Sequence, residues 1–114
     1  MSYIEKRRHR RVSMVTKVSL QNSETDQYYY SRDISQGGLF LETKRPYPVG
    51  TCLDINFTLP GTERRVEAEG EVVRIVDYDR TSPDIIPGMG VVFNEVSPES
   101  LSMILNFLEE SAEE

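Results

Sequence analysis

Residues 52–61, Cys52-Leu53-Asp54-Ile55-Asn56-Phe57-Thr58-Leu59-Pro60-Gly61, alternate between apolar and polar side chains up to a turn. Leu53, Ile55, Phe57 and Leu59 fall on one face, and Cys52, Asp54, Asn56 and Thr58 on the other. That period of two belongs to a strand with one buried side. Pro60-Gly61 closes it with turn chemistry. The run from Val66 to Val76 repeats the pattern, with Val66, Ala68 and Val72 opposed to Glu67, Glu69 and Glu71. Past Gly70 the pattern inverts and Val73 and Ile75 take the formerly polar face, which predicts a bulge or sharp bend near Gly70.

The same reading extends in both directions. Upstream, Val12, Met14, Val18 and Leu20 alternate with Ser13, Lys17 and Ser19 in a first strand. A polar turn cluster, residues 21–26, follows. Tyr28-Tyr29-Tyr30 opens a second strand by aromatic propensity, and barrel packing with cross-strand pairing accounts for that run. Leu39-Phe40-Leu41 starts a third strand, broken by Pro46, Pro48 and Gly50. Downstream, Asp77 to Pro87 is a long polar loop, and Gly88-Met89-Gly90-Val91-Val92-Phe93 makes a sixth strand. Only the end is helical. Ser97 is an N-cap, Pro98 suits the first helical position, and Glu99 suits the positive end of the dipole. Leu101, Ile104, Leu105 and Leu108 form the apolar stripe, widened by Met103 and Phe107. Glu109, Glu110, Glu113 and Glu114 lie at the wrong end of the dipole and are expected to fray. So short a helix must pack on something, most simply an open end of the β-structure. The expected fold is mainly β, a small six-stranded antiparallel barrel with one C-terminal helix.

Composition bounds the function. The chain has 114 residues, 38% hydrophobic and 28% charged, which fits one ordinary globular domain. No apolar run approaches the ~20 residues of a membrane-spanning helix. The N-terminus lacks the apolar core of a secretory signal. One cysteine, Cys52, and one histidine, His9, cannot make a structural zinc site. Net charge is −6, unevenly spread. Residues 1–11 hold Lys6, Arg7, Arg8, Arg10 and Arg11 against Glu5, a charge of +4; the remainder has 8 basic and 18 acidic side chains, or −10. The expected organisation is a flexible basic arm over 1–11, a barrel with its helix over 12–108, and an acidic tail over 109–114. An acidic body repels long polyanions, which counts against a single-stranded nucleic-acid-binding barrel. A compact anion fits the arm better.

Two constellations carry chemistry. Arg7-Arg8-His9-Arg10-Arg11 sets two arginines four apart just before the first strand. Guanidinium forks bind phosphate or guanine acceptors and stack on purine rings, although a terminal basic run is often only a solvated charge cluster. Asp33-Ile34-Ser35-Gln36-Gly37-Gly38 lies between two strands. Its carboxylate can accept from a guanine N1 and N2 edge, Ser35 can donate, and Gly38 allows close approach or a positive φ. An ordinary Asx or glycine turn has the same residues. Asp77 and Asp79 stand near no nucleophile or metal constellation, so no catalysis is expected.

Taken together, Arg-x-x-x-Arg before the first strand and Asp-x-Ser-x-x-Gly at the end of the second resemble the PilZ domain family. Tyr47-Pro48-Val49-Gly50-Thr51, Gly88-Met89-Gly90-Val91-Val92-Phe93 and the terminal helix extend the likeness over roughly residues 5–108. The resemblance implies a cytoplasmic bacterial receptor for cyclic di-GMP, a second messenger, and no enzyme activity. It implies ligand contacts from Arg7, Arg8, Arg11, Asp33, Ser35, Gly37 and Gly38, with Lys6, Arg10, Arg74 and Gly90 as further candidates. Arg10 stands where many members have proline. A cationic Lys6 before the motif favours two ligand molecules per chain. A chain this short is expected to pass ligand occupancy to a partner protein. The alternative within the family is an interaction module that binds no ligand.

Overall fold

The computed structural model describes residues 11–21 and 26–112. Among the described residues seven strands precede one helix: β1 (Val12–Ser13), β2 (Lys17–Gln21), β3 (Asp26–Ser35), β4 (Gly38–Glu42), β5 (Cys52–Thr58), β6 (Arg65–Val76), β7 (Gly88–Val96) and α1 (Pro98–Ala112). All pairings are antiparallel. The order β3-β2-β5-β6-β7-β4 closes on itself through β3–β4, giving a six-stranded barrel. β1 continues the line of β2 along β3, so the expected first strand is present in two pieces.

The break between β1 and β2 has a physical cause. Ser13 pairs with Asp33 and Lys17 with Tyr30, so the first strand carries one more residue than its partner there. The fully buried Ser31 fills the gap: its hydroxyl accepts from the Thr16 amide and donates to the Met14 carbonyl. This satisfies backbone groups that the ladder leaves over. On its other edge β3 has a bulge at Arg32, with Ser31 opposite Leu41 and Asp33 opposite Phe40. Ser31 and Ile34 therefore face the core, while Arg32 and Asp33, consecutive in sequence, both stay outside.

The alternating strands bury the side chains their pattern marks: Val18, Leu20, Leu53, Ile55, Phe57, Val66, Ala68 and Val72 share one core. The irregularity expected near Gly70 is there. β7 carries an extra residue, Asn94, opposite the Glu69/Gly70 step, and β6 carries an extra Val73 between Val72 and Arg74. A Cβ on Gly70 would stand 2.5 Å from the Val92 carbonyl oxygen and 2.7 Å from Ile55 Cδ1. The Val73 bulge explains the inverted pattern: Val73 faces out and Ile75 returns to pack on the core.

Ser97 caps α1, its hydroxyl accepting from the Ser100 amide at 3.1 Å. The buried face of α1 is centred on Ser100 and Ile104, with Met103, Phe107 and Leu108 packed beside them. Leu105 departs from the expected stripe and is 40% exposed. The Ser100 hydroxyl accepts the Glu67 amide of β6 at 3.2 Å, and this fixes the helix rotation. α1 runs through Ala112, so Glu109 and Glu110 belong to the helix rather than to a tail beyond it. Docked Phe107 and Leu108 hold that last turn against the unfavourable dipole.

Of the three consecutive tyrosines only Tyr29 turns inward; Tyr28 and Tyr30 are exposed. Tyr29 meets Tyr47 edge to face, with ring centroids 6.2 Å apart. Burial and the neighbouring Tyr47 push the Tyr29 phenol up to about 12. The folded state holds this proton while the unfolded chain releases it near pH 10. The stability tied to it is therefore present below pH 10 and lost as pH rises toward 12. Ultraviolet titration of the phenols should show a late ionisation near pH 12, and Tyr29→Phe should remove that step.

Candidate functional site

The β3–β4 hairpin turns through Gln36 and Gly37, with Ser35 opposite Gly38. Gly38 does not take the positive φ that the sequence left open; its requirement is close approach, because a Cβ there would collide with the Val91 carbonyl of β7. Ser35 is 2% exposed, and its hydroxyl accepts the Gly37 amide at 3.2 Å. The hairpin tip is thus locked on one side by a serine and on the other by the neighbouring strand.

Arg11, just ahead of β1, reaches across this hairpin. Its Nε donates to Asp33 Oδ1 at 3.0 Å and its Nη1 to Ser35 Oγ at 3.0 Å. The Arg11 and Asp33 side chains are 47% and 35% exposed. A pair so wet contributes about 0–1 kcal/mol to stability, so a ligand can replace it at small cost. Only two of the five guanidinium donors are engaged by Asp33 and Ser35.

Opposite the hairpin stands the β6 bulge. Arg74 lies against Gly90, where a Cβ would touch its own Cβ at 3.5 Å, and its guanidinium carbon is 5.7 Å from the Phe40 ring centroid. That distance suits a cation–π contact. Between the two walls runs a cleft of about 560 Å³. Arg11, Asp33, Ser35, Gly37, Gly38, Arg74 and Gly90 all line it. Seven of the residues singled out from the sequence therefore meet in one place.

Lys6, Arg7, Arg8, His9 and Arg10 lie outside the described residues. The 77–87 loop contributes no residue to the lining of this cleft. Sequence reasoning missed Phe40, Val73, Val91 and Val92, which supply its apolar surface. The irregularity near Gly70 was the one signal available for Val73. Among the described residues no three His, Cys, Asp or Glu side chains come together to hold a metal ion. No described helix is long and apolar enough to cross a membrane.

A closed six-stranded barrel, a docked C-terminal helix and a cleft at the β3–β4 hairpin that sets charged side chains beside an apolar floor define a small β-barrel module. The sequence matches the PilZ domain family over residues 5–110, and the chain belongs to that family. Solved structures share the fold, three of them as follows. The inhibitor of motility MotI/DgrA of Bacillus subtilis is 23% identical, with a TM-score of 0.73 over 87% of this chain and 47% of that one. The PilZ domain of YcgR from Escherichia coli, with c-di-GMP, is 19% identical, with a TM-score of 0.72 over 95% of this chain and 92% of that one. YcgR of Escherichia coli in complex with c-di-GMP is 15% identical, with a TM-score of 0.74 over 92% of this chain and 45% of that one. The chain thus spans about half the length of MotI/DgrA and of the YcgR complex chain, and nearly all of the YcgR domain. No curated protein matches the sequence.

Proposed function

We propose that this chain is a cytoplasmic cyclic di-GMP receptor of bacterial second-messenger signalling, binding the nucleotide without turning it over and passing its occupancy to a partner protein. The observation that carries the reading is Arg11 bridging Asp33 and Ser35 at 3.0 Å in a cleft faced by Arg74. The cleft volume falls within the roughly 300–1,000 Å³ of small-molecule sites. Asp33 accepts a guanine N1 and N2 edge. Ser35 steadies the same base, and the spare Arg11 donors take a phosphate or a guanine acceptor. Gly37 lets the ligand approach the backbone, and Gly38 seats the hairpin tip against β7 at the floor of the cleft. Arg74, backed by Phe40, offers a flat cation for stacking on a purine. Arg7, Arg8 and Arg10, which precede Arg11 in sequence, supply further phosphate donors, and the two YcgR structures hold this nucleotide on the same fold.

Two ligand molecules per chain follow from charge. One nucleotide brings two negative charges and a stacked pair four, which the +4 of residues 1–11 balances, with Lys6 adding attraction where the second pair of phosphates would lie. Isothermal titration at protein concentrations well above the dissociation constant tests both parts. Saturable binding with a break at two ligands per chain is expected, weakening with salt because exposed charges are screened over about 10 Å at 0.1 M. Lys6→Leu should move the break toward one. A break at one in the parent rejects the paired mode, and no binding at all rejects the receptor reading.

A further inference from the structure

The 77–87 loop, which contributes nothing to the ligand cleft, borders a second cleft of about 610 Å³ on the outer face of β3 and β4. Of the nine large apolar side chains exposed among the described residues, four line it: Val15 at 60%, Tyr30 at 59%, and Tyr78 and Ile85 at 51% each. Single exposed apolar residues are ordinary, but a concentration of them marks an interaction surface. Two exposed tyrosine rings in a cleft that an arginine also lines have the composition of an interface hot spot.

Charge decides the kind of partner. The chain outside its first eleven residues carries −10, yet this cleft is lined by Arg32 and Lys44 against Glu42 alone. Arg32 pairs with Glu42 at 3.5 Å. Lys44 makes no ion pair among the described residues and lies over the Tyr78 ring, 4.3 Å from its centroid. The loop carboxylates Asp77, Asp79 and Asp84 are not among the lining residues, and the Thr81 amide and hydroxyl both donate to Asp79. A locally cationic, aromatic cleft on an acidic barrel attracts a short acidic segment and leaves longer polyanions or an anionic bilayer facing the repulsive remainder.

We propose that this cleft docks an acidic peptide segment of a partner protein, with one apolar or aromatic side chain seated between Tyr30, Tyr78 and Ile85 and flanking carboxylates meeting Lys44 and Arg32. The bulge at Arg32 builds both sites at once, sending Arg32 to this cleft and Asp33 to the ligand cleft. The docking surface does not depend on what the ligand cleft holds.

The test uses a random dodecapeptide phage library panned on the full chain, with enriched peptides synthesised and titrated back. The expected outcome is enrichment of Asp- and Glu-rich sequences around an apolar or aromatic residue, with amide shifts at Val15, Tyr30 and Ile85. Tyr78→Ala and Lys44→Glu should each weaken those peptides at least tenfold. Both side chains are exposed, so the variants should melt with the parent. Enrichment of basic or charge-neutral peptides overturns the proposal, as does a failure to enrich any sequence. So does undiminished binding to both variants. Self-association of the parent that Tyr78→Ala abolishes also overturns it, because the face would then belong to a second copy.

Discussion

Asp33→Ala should weaken cyclic di-GMP binding by about 10- to 100-fold. A hydrogen bond to a charged group is worth about 1.5–3 kcal/mol, and about 1.4 kcal/mol is a factor of ten. The direction of the change is as informative as its size. Removing a carboxylate from the cleft raises its positive potential by one charge. If the arginines merely collected an anion, the dianionic ligand would bind Asp33→Ala more tightly. A loss of affinity therefore reports recognition of the guanine edge. Asp33→Asn, which keeps one acceptor but no charge, should fall between the parent and alanine. Arg11→Ala should lose a similar factor. The double variant should lose less than the product of the two, since the side chains touch at 3.0 Å and share one network. Folding should hardly change, because so exposed a pair contributes about 0–1 kcal/mol. Calorimetric titration beside thermal melts checks all of this, and parent-like affinity in both single variants would remove these residues from the site.

The barrel was legible where strands obey one period. Residues 52–59 hold their alternation throughout and bury the expected face. The hairpin glycines and the Ser97 cap are local signals with local causes, and they too could be read. The bulges were harder. In β3 the inward residues run Tyr29, Ser31, Ile34, and the skipped beat at Arg32 looks in sequence like mere polarity. Both walls of the ligand cleft depend on such irregularities, since Asp33 and Arg74 each follow an extra residue. The motif named Asp33 without revealing that a bulge aims it. Leu105 was misplaced for a related reason. Leu101, Met103, Ile104, Leu105, Phe107 and Leu108 spread over a wide arc of the helix, and a polar residue, Ser100, selects the docked part of it by its bond to Glu67. Phe40 and Val92 could not be told from core residues, because each stands beside a core neighbour, Leu39 and Leu41 for the one and Val91 for the other, in an unbroken apolar run while lying outside the core cluster itself.

Ile34→Ala is expected to have the largest effect on stability, and it separates fold from recognition. Ile34 sits between Asp33 and Ser35 but points the other way, fully buried and paired with Val12 on one edge and Leu39 on the other. Truncating a buried isoleucine to alanine costs about 2–5 kcal/mol, a large share of the roughly 5–15 kcal/mol that holds a domain folded. Denaturant and thermal midpoints should both fall well below those of the parent. Whatever fraction remains folded keeps Asp33, Ser35 and Arg11 on the outside of the same hairpin. Its intrinsic affinity for cyclic di-GMP should therefore stay within a few-fold of the parent. Mass action then predicts rescue, since a ligand held at about one hundred times its dissociation constant stabilises the folded state by about 2.7 kcal/mol. Asp33→Ala has the opposite signature, a near-parent midpoint without ligand and little shift on adding it. If cyclic di-GMP at such concentrations raised the midpoint of Asp33→Ala but not that of Ile34→Ala, the site would not lie on the outer face of this hairpin.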